Sequence, residues 1–456
     1  MTDWTLCIDF GTAYSKAAAA PASAWRQFEP RTVRPLLIGG EGAPGNAFLL
    51  DSAVFVDDER ILFGAAAIAR ANELADRKRT ALRSFKTLLS VSDLDRALNA
   101  NAPAAIDPHR LFQMRDLIVL YLAYLLESVE RAAAADTLIS SGAIARRYAA
   151  PAWRDRDSAG MHHAIQRLFG EADNFRAAVG KKLLAPEGLA LAAVSTALPK
   201  AIEGARPLEM GLVFEATAAA AYSSVGLNSG AAHLVVVDMG AGTTDIAALA
   251  RQGDQTVELE GARLTLKQAG DFIDRVIANR VLSSASWVKG TEQQSELWAV
   301  LMRQMNDIKE TIFAEGRASL RHQGRAISLT LKDVERDSDF RAFLKELTAA
   351  YDHALSVVRD SAGARGEVQA IAVGGGAAAP FIKALIASKR SKLRVTPRPA
   401  TPDWAHAGEF QGNLAPVFPQ LAIAIGGALA PDAMLAARAG TTPPAIGQTD
   451  IPAGRD

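Results

Sequence analysis

Val235-Val236-Val237-Asp238-Met239-Gly240-Ala241-Gly242-Thr243-Thr244-Asp245 is an apolar run of strand type that ends in an Asp and breaks into a Gly/Thr turn, with a second apolar run, Ile246 to Leu249, behind it. About 230 residues earlier, Leu6-Cys7-Ile8-Asp9-Phe10-Gly11-Thr12 has nearly the same form, with Ala17 to Ala20 as its return run. Each reads as a β-hairpin with a carboxylate at its tip. The turn glycines permit positive φ and close approach of the backbone, so N–H groups and Thr hydroxyls can face an anion while the Asp holds a hydrated cation. Two such hairpins facing each other would grip a Mg-polyphosphate from both sides. A single Asp-x-Gly-Thr turn is more often an ordinary tight turn, but a third element accompanies these two. Val368-Gln369-Ala370-Ile371-Ala372-Val373 leads into Gly374-Gly375-Gly376 and then a helical stretch from Pro380 to Ser388, a strand–glycine turn–helix junction suited to a nucleotide.

These residues resemble the ATPase domain of the Hsp70 chaperone family, within the wider actin, Hsp70 and sugar-kinase superfamily. Asp9 to Ser15 resembles its first phosphate motif, Asp238 to Asp245 the second, and Val373 to Gly376 the adenosine motif. Three further segments favour Hsp70 over its cousins. Glu215-Ala216-Thr217-Ala218-Ala219-Ala220-Ala221-Tyr222 resembles the Glu-Pro-Thr-Ala-Ala-Ala segment, Arg83-Ser84-Phe85-Lys86-Thr87-Leu88-Leu89 the catalytic-lysine segment, and Ala149-Ala150-Pro151-Ala152-Trp153 the Val-Pro-Ala-Tyr turn. The resemblance runs to about residue 430. It implies an α/β, two-lobed actin-like ATPase fold of duplicated ribonuclease H-like domains, with an ATP cleft between the lobes.

Composition is compatible with this. At 456 residues the chain exceeds what one core usually supports. Its 50 basic and 50 acidic residues cancel, which leaves no electrostatic footprint for nucleic acid or an anionic membrane. The one cysteine, Cys7, lies in an apolar strand and reads as a small core residue. No secretory signal opens the chain, and the apolar run Leu117 to Leu126 is too short to span a bilayer, so a cytoplasmic protein is expected with that run in a buried crossover helix.

Strands are expected near 4–10, 15–20, 53–56, 212–214, 234–238 and 368–373, and helices near 64–75, 110–135, 158–169, 270–285, 294–316 and 338–360. The lobes should divide near residue 210, where Gly204-Ala205-Arg206-Pro207 breaks the pattern, giving a first lobe over 1–210 and a second over 211–430. By resemblance, a final helix at 417–430 returns to the first lobe, and the Pro, Gly and Thr rich stretch 431–456 reads as a disordered tail. Glu215 follows Pro151 by 64 positions, about twice the family's spacing, with the surplus near 171–207. Its apolar part, Gly188 to Val194, reads either as a partner surface or, more simply, as a local helical elaboration packed on the first lobe.

The resemblance also assigns roles. Asp9 and Asp238 would hold Mg2+ through its waters, Lys86 would meet the γ-phosphate of ATP, and Glu215 would orient or deprotonate the attacking water. Asp238 and Thr243 join Lys86 and Glu215 as catalytic candidates. Gly11, Thr12, Ala13, Gly240, Gly242, Thr243, Thr244, Lys309, Gly374, Gly375 and Gly376 would contact ATP or ADP. Three departures stand out: the two arginines that usually sandwich adenine read Glu310 and Ala378, and an acidic residue of the final helix reads Gln420. With only some 26 residues after Ala430, no peptide-binding module is expected. The expected function is therefore that of a chaperone-like, stand-alone Hsp70-like ATPase whose lobes close on Mg-ATP and signal to a protein partner. The alternatives are an actin-like filament former and a small-molecule kinase of the same fold. The adjacent His162 and His163 cannot face one metal and read as surface residues, while Trp287 and Trp298 read as packing residues.

Overall fold

In the computed structural model the described residues are 3–431, apart from 41–45, 75–78, 84, 89–92, 140–141, 152–154, 227–230, 253–254, 285–290, 363–366, 389–392 and 411–412. Expectations for Ser84, Leu89, Ala152, Trp153, Trp287 and the tail beyond Pro431 lie outside them.

The chain is mixed α/β, and two six-stranded sheets repeat one topology. Across the first run Arg34–Pro35, Tyr14–Pro21, Trp4–Asp9, Ile144–Ala150 and Gly211–Phe214, with Leu50–Asp51 added on Tyr14–Pro21. Across the second run Gln255–Glu258, Thr244–Gln252, His233–Met239, Glu367–Val373 and Arg394–Arg398, with Leu264–Leu266 on Thr244–Gln252. In both, the strands on the hairpin side pair antiparallel and the later two pair parallel. A parallel pair needs a crossover. Helix Met114–Ala135 supplies it in the first sheet and Ser338–Ala362 in the second. The former is Leu- and Ala-rich without Gly or Pro, is opened by a capping box between Gln113 and Asp116, and buries Leu117 to Ala123 without a break.

Between the sheets lies a shared core. Helix Glu215–Ala221 and the final helix Phe418–Leu429 meet there with Cys7, Ala18 and Val213 of the first sheet and Val236, Leu249 and Ile371 of the second. Leu421, Ile423, Ile425 and Leu429 are buried along the final helix, each contributing about 2 kcal/mol by removal from water. Glycine is required where that helix is most crowded: a Cβ at Gly427 would strike the Cys7 sulfur, and one at Gly426 the Ala218 carbonyl. Arg147, buried in its strand, donates from Nη1 to the carbonyls of Gly427 (3.0 Å) and Ala430 (2.6 Å), satisfying orphan groups at the helix C-terminus.

Several expectations change. The helix expected from 110 begins at Met114, because Asp107 accepts from the His109 and Phe112 N–H groups and Arg110 takes φ 54°, which bends the chain before the helix can start. The helix expected at 158–169 runs over Asp155–Val179, well into the surplus segment. The rest of that segment holds a 3-10 helix, Gly180–Leu184, a two-residue strand, Leu189–Ala190, paired with Arg60–Phe63, and helix Leu191–Glu203, whose Val194, Leu198 and Ala201 join the first core. It is a helical elaboration packed in place. Trp298 is 37% exposed on helix Glu292–Glu315, and so is not the packing residue expected. Of the histidine pair, His163 is exposed as expected, while His162 is half-buried, its Nδ1 2.6 Å from the Tyr148 hydroxyl with the two rings stacked. Cys7 is fully buried, and burial pushes its thiol pKa far up. Among the described residues no helix is long and apolar enough to cross a membrane.

Candidate functional site

Both hairpins end with their Asp at the same place. Strands Trp4–Asp9 and Tyr14–Pro21 form the first, His233–Met239 and Thr244–Gln252 the second. At the first turn, a Cβ on Gly11 would strike the Tyr14 carbonyl and lie 2.9 Å from Lys16 Nζ, so only glycine passes. The turn is held from behind. Ser52 Oγ donates to the Gly11 carbonyl at 2.9 Å, and the Tyr121 hydroxyl donates to Ser15 Oγ at 2.8 Å. Phe10 stacks on Tyr121, with ring centroids 5.7 Å apart, and Tyr121 on Phe85 at 4.6 Å. This aromatic stack fixes the short helix Phe85–Leu88, and with it Lys86.

Lys86 makes an ion pair with Glu215, which is 5% exposed and the first residue of its helix. A carboxylate suits that end of the helix dipole. Burial pushes the Glu215 pKa up, Lys86 opposes the shift, and Asp9 and Asp245 add to it. For Lys86, burial disfavours the ammonium, but Glu215, Asp9 and Asp238 outweigh that and raise its pKa, so it stays charged. Asp238 is pushed up to about 7, first by burial and then by the charges of Glu215, Asp245 and Asp9 against the pull of Lys86. Residues chosen from segments 86, 215, 9 and 238 thus share one electrostatic centre.

At the second turn, Gly240 N–H donates to the Thr243 carbonyl (3.0 Å), and Gly270 and Asp271 N–H donate to the Gly240 and Ala241 carbonyls at 3.2 and 2.8 Å. Helix Gly270–Ser284 thereby starts directly from the second turn. Thr243 Oγ1 donates to Asp245 at 3.0 Å, and Thr265 donates to the other Asp245 oxygen. Thr244 needs correction as a ligand contact: its side chain is fully buried, and its hydroxyl donates to the Gln268 carbonyl at 2.8 Å. The third turn presses on the second hairpin. Gly374 adopts φ 81°, and a Cβ there would lie 2.5 Å from Asp238 Oδ1, while one at Gly376 would collide with Met239. Gln420 approaches Gly375 from the final helix.

Lys309 stands beside the second turn, with Nζ 3.6 Å from where a Cβ on Gly270 would lie, and pairs with Asp274 at 2.7 Å. Thr12 and Ala13 lie on the first turn, and Gly242 on the second; Ala13 accepts from Ser52 N–H at 2.9 Å.

Three contributors were not assigned roles from sequence. Lys16 pairs with Asp9 Oδ2 at 2.9 Å, its signal being a lone lysine inside an alanine-rich strand. Asp245 ends the second motif and faces the same centre. Arg263, bonded to Glu258 at 2.7 Å, sends its charge toward Asp245 and Glu215; nothing local in the sequence marks it. Asp9, Glu215, Asp238 and Asp245 set four carboxyl groups against the ammonium groups of Lys16 and Lys86. Asp9 Oδ1 is buried with no hydrogen-bond partner among the described residues. No group of three or more His, Cys, Asp or Glu among those residues is placed to hold a metal directly. The unpartnered Asp9 Oδ1 is an acceptor of the kind that the water of a hydrated divalent cation would satisfy.

No family model matches the chain, and no curated protein matches it.

Proposed function

We propose that the chain is a Mg-ATP-binding ATPase of two-lobed, actin-like build, resembling the Hsp70 ATPase domain, in which nucleotide state controls closure of the lobes and the binding of a protein partner. The observation that carries this reading is the convergence of two like hairpins, through Asp9 and Asp238, on the Lys86–Glu215 ion pair. The repeated strand order and the shared helical core at Glu215–Ala221 and Phe418–Leu429 support the two-lobed part of it.

In hydrolysis, a water oxygen bonds to the γ-phosphorus, the bond from phosphorus to the β,γ-bridging oxygen breaks, and the water's proton must leave. Glu215 takes that proton. Its raised pKa makes it a better base than an exposed carboxylate. Lys86, charged and aromatic-braced, lies against the transferring phosphoryl oxygens, where a fixed positive charge lowers the barrier most. Thr243 orients Asp245 at the edge of the same centre. Asp9 and Asp238 would hold Mg2+ through its waters, and the ion would supply neutralising charge to the phosphates.

Calorimetry with Mg-ATP and a phosphate-release assay on the purified chain test the reading together. Saturable binding with slow release of phosphate is expected; no heat with Mg-ATP at millimolar concentration would overturn it. Binding without any release would leave a nucleotide-gated binder and remove the ATPase.

A further inference from the structure

Tyr121, in the crossover helix Met114–Ala135, is fully buried, yet it touches the supports of two separate parts of the candidate site. Its ring packs on both Phe10, the neighbour of Asp9, and Phe85, the neighbour of Lys86, with centroids 5.7 and 4.6 Å away. Its hydroxyl faces two other fully buried hydroxyls, those of Ser15 and Ser52. Three hydroxyl protons there meet one acceptor outside the group, the Gly11 carbonyl. The arrangement that leaves no buried group unbonded runs in one direction: Tyr121 donates to Ser15 (2.8 Å), Ser15 to Ser52 (3.2 Å), and Ser52 to the Gly11 carbonyl (2.9 Å). Ser52 also donates its own N–H to the Ala13 carbonyl at 2.9 Å, so one residue grips the turn at two points.

The consequence lies on the other side of the chain. In a trans peptide the carbonyl and the following N–H point in opposite directions. With the Gly11 carbonyl drawn toward buried Ser52, the Thr12 N–H is aimed the other way, and among the described residues it has no acceptor. A turn N–H held in this manner is a donor for an anion. We infer that Tyr121 is a positioning residue with two separable duties. Its hydroxyl, through Ser15 and Ser52, aims the Thr12 N–H at a phosphate oxygen; its ring, through Phe85, holds Lys86 for the chemical step. The inference rests on the Mg-ATP reading above and deepens it by naming what aims two of its groups.

The test is calorimetry with Mg-ATP and Mg-tripolyphosphate, and single-turnover hydrolysis of bound ATP, on the full chain and its variants. Tyr121→Phe keeps the ring and removes the hydroxyl, so the two serines can pair in the reverse sense and release the Gly11 carbonyl. It should lose about fivefold in affinity for both ligands, the size of one net hydrogen bond. Ser52→Ala should do the same, and the double variant should lose no more than Ser52→Ala alone, because both act through one carbonyl. Tyr121→Leu removes the stack as well, and its bound ATP should hydrolyse at least about tenfold more slowly than that of Tyr121→Phe; Phe85→Leu should show the same fall against wild type. Should Tyr121→Leu fail to fold in a thermal melt, Phe85→Leu decides the ring's duty. Wild-type affinity in Tyr121→Phe, or additive losses in the double variant, overturns the hydroxyl's duty. A wild-type rate in Phe85→Leu, or a wild type that binds ATP without hydrolysing it, overturns the ring's. A wild type that binds neither ligand overturns the Mg-ATP reading and this inference together, whereas intact binding with variants that miss this pattern overturns this inference alone.

Discussion

The two hairpins share a topology but not a charge. In the first, the strand register places Lys16 opposite Asp9; in the second, it places Asp245 opposite Asp238. A cross-strand pair of opposite charges is favourable and a like pair costs stability. The first hairpin therefore neutralises its own carboxylate with the 2.9 Å Lys16–Asp9 contact, while in the second Asp238 is pushed up to about 7, first by burial and then by the charges of Glu215, Asp245 and Asp9. Symmetry of fold here carries an asymmetry of function. On the proposed reading both hairpins give the cation a carboxylate, Asp9 or Asp238, and only the first adds an ammonium, Lys16, for phosphate oxygens.

The largest effect should come from removing that asymmetry at its acidic end. Asp238→Ala is expected to weaken Mg-dependent ATP binding by on the order of 100-fold in calorimetry, and Asp9→Ala nearly as much, since each removes a carboxylate from around a hydrated cation. Unchanged affinity in both would break the comparison outright.

Next comes chemistry. Glu215→Gln keeps size and hydrogen bonding but loses basicity, so single-turnover hydrolysis should fall by at least about tenfold with ATP affinity retained, and Lys86→Ala should behave similarly. A Gln variant that hydrolyses at the wild-type rate would remove Glu215 as the base.

A smaller effect is expected at the first hairpin. Lys16→Met strips Asp9 of its partner, and nucleotide affinity should drop by several-fold while its dependence on Mg2+ concentration steepens. If the Mg2+ dependence stays the same, Lys16 and the cation do not share work at Asp9.

The least effect concerns stability without ligand. Asp238 binds a proton more tightly folded than unfolded, so its contribution is fully present below the unfolded value of 3.8 and is lost as pH rises through about 7. Asp238→Asn, neutral at all pH, should therefore match the wild type near pH 4 and melt a few degrees higher at pH 8. Equal melting temperatures at pH 8 would mean that the second hairpin is relaxed by something other than protonation.

Much of this was legible because short-range chemistry wrote it. An apolar run ending in Asp-x-Gly must turn, and the first and third glycine turns sit where the sequence put them because a Cβ at Gly11, Gly374 or Gly376 has no room. Helices Gly270–Ser284 and Ser338–Ala362 were readable from their apolar period. Strand Ile144–Ala150 was not, since Arg146 and Arg147 interrupt its apolar pattern. Arg147 belongs there only because the final helix, some 280 residues later, brings the Gly427 and Ala430 carbonyls to it. The same holds for His162, whose partner Tyr148 is on a strand that was itself missed.

The sequence by itself determined the two hairpins, their carboxylates, the glycine turns and the mixed α/β character, since each follows from residues within a few positions of one another. Only the tertiary structure decided that Lys86 meets Glu215, that Lys16 rather than Asp faces Asp9, and that Thr244 turns its hydroxyl away from the cleft. Those facts depend on strand register and on which face of a strand is buried, and a one-residue shift in register reverses both. Local pattern limits the choices, but the packing of distant segments makes the selection.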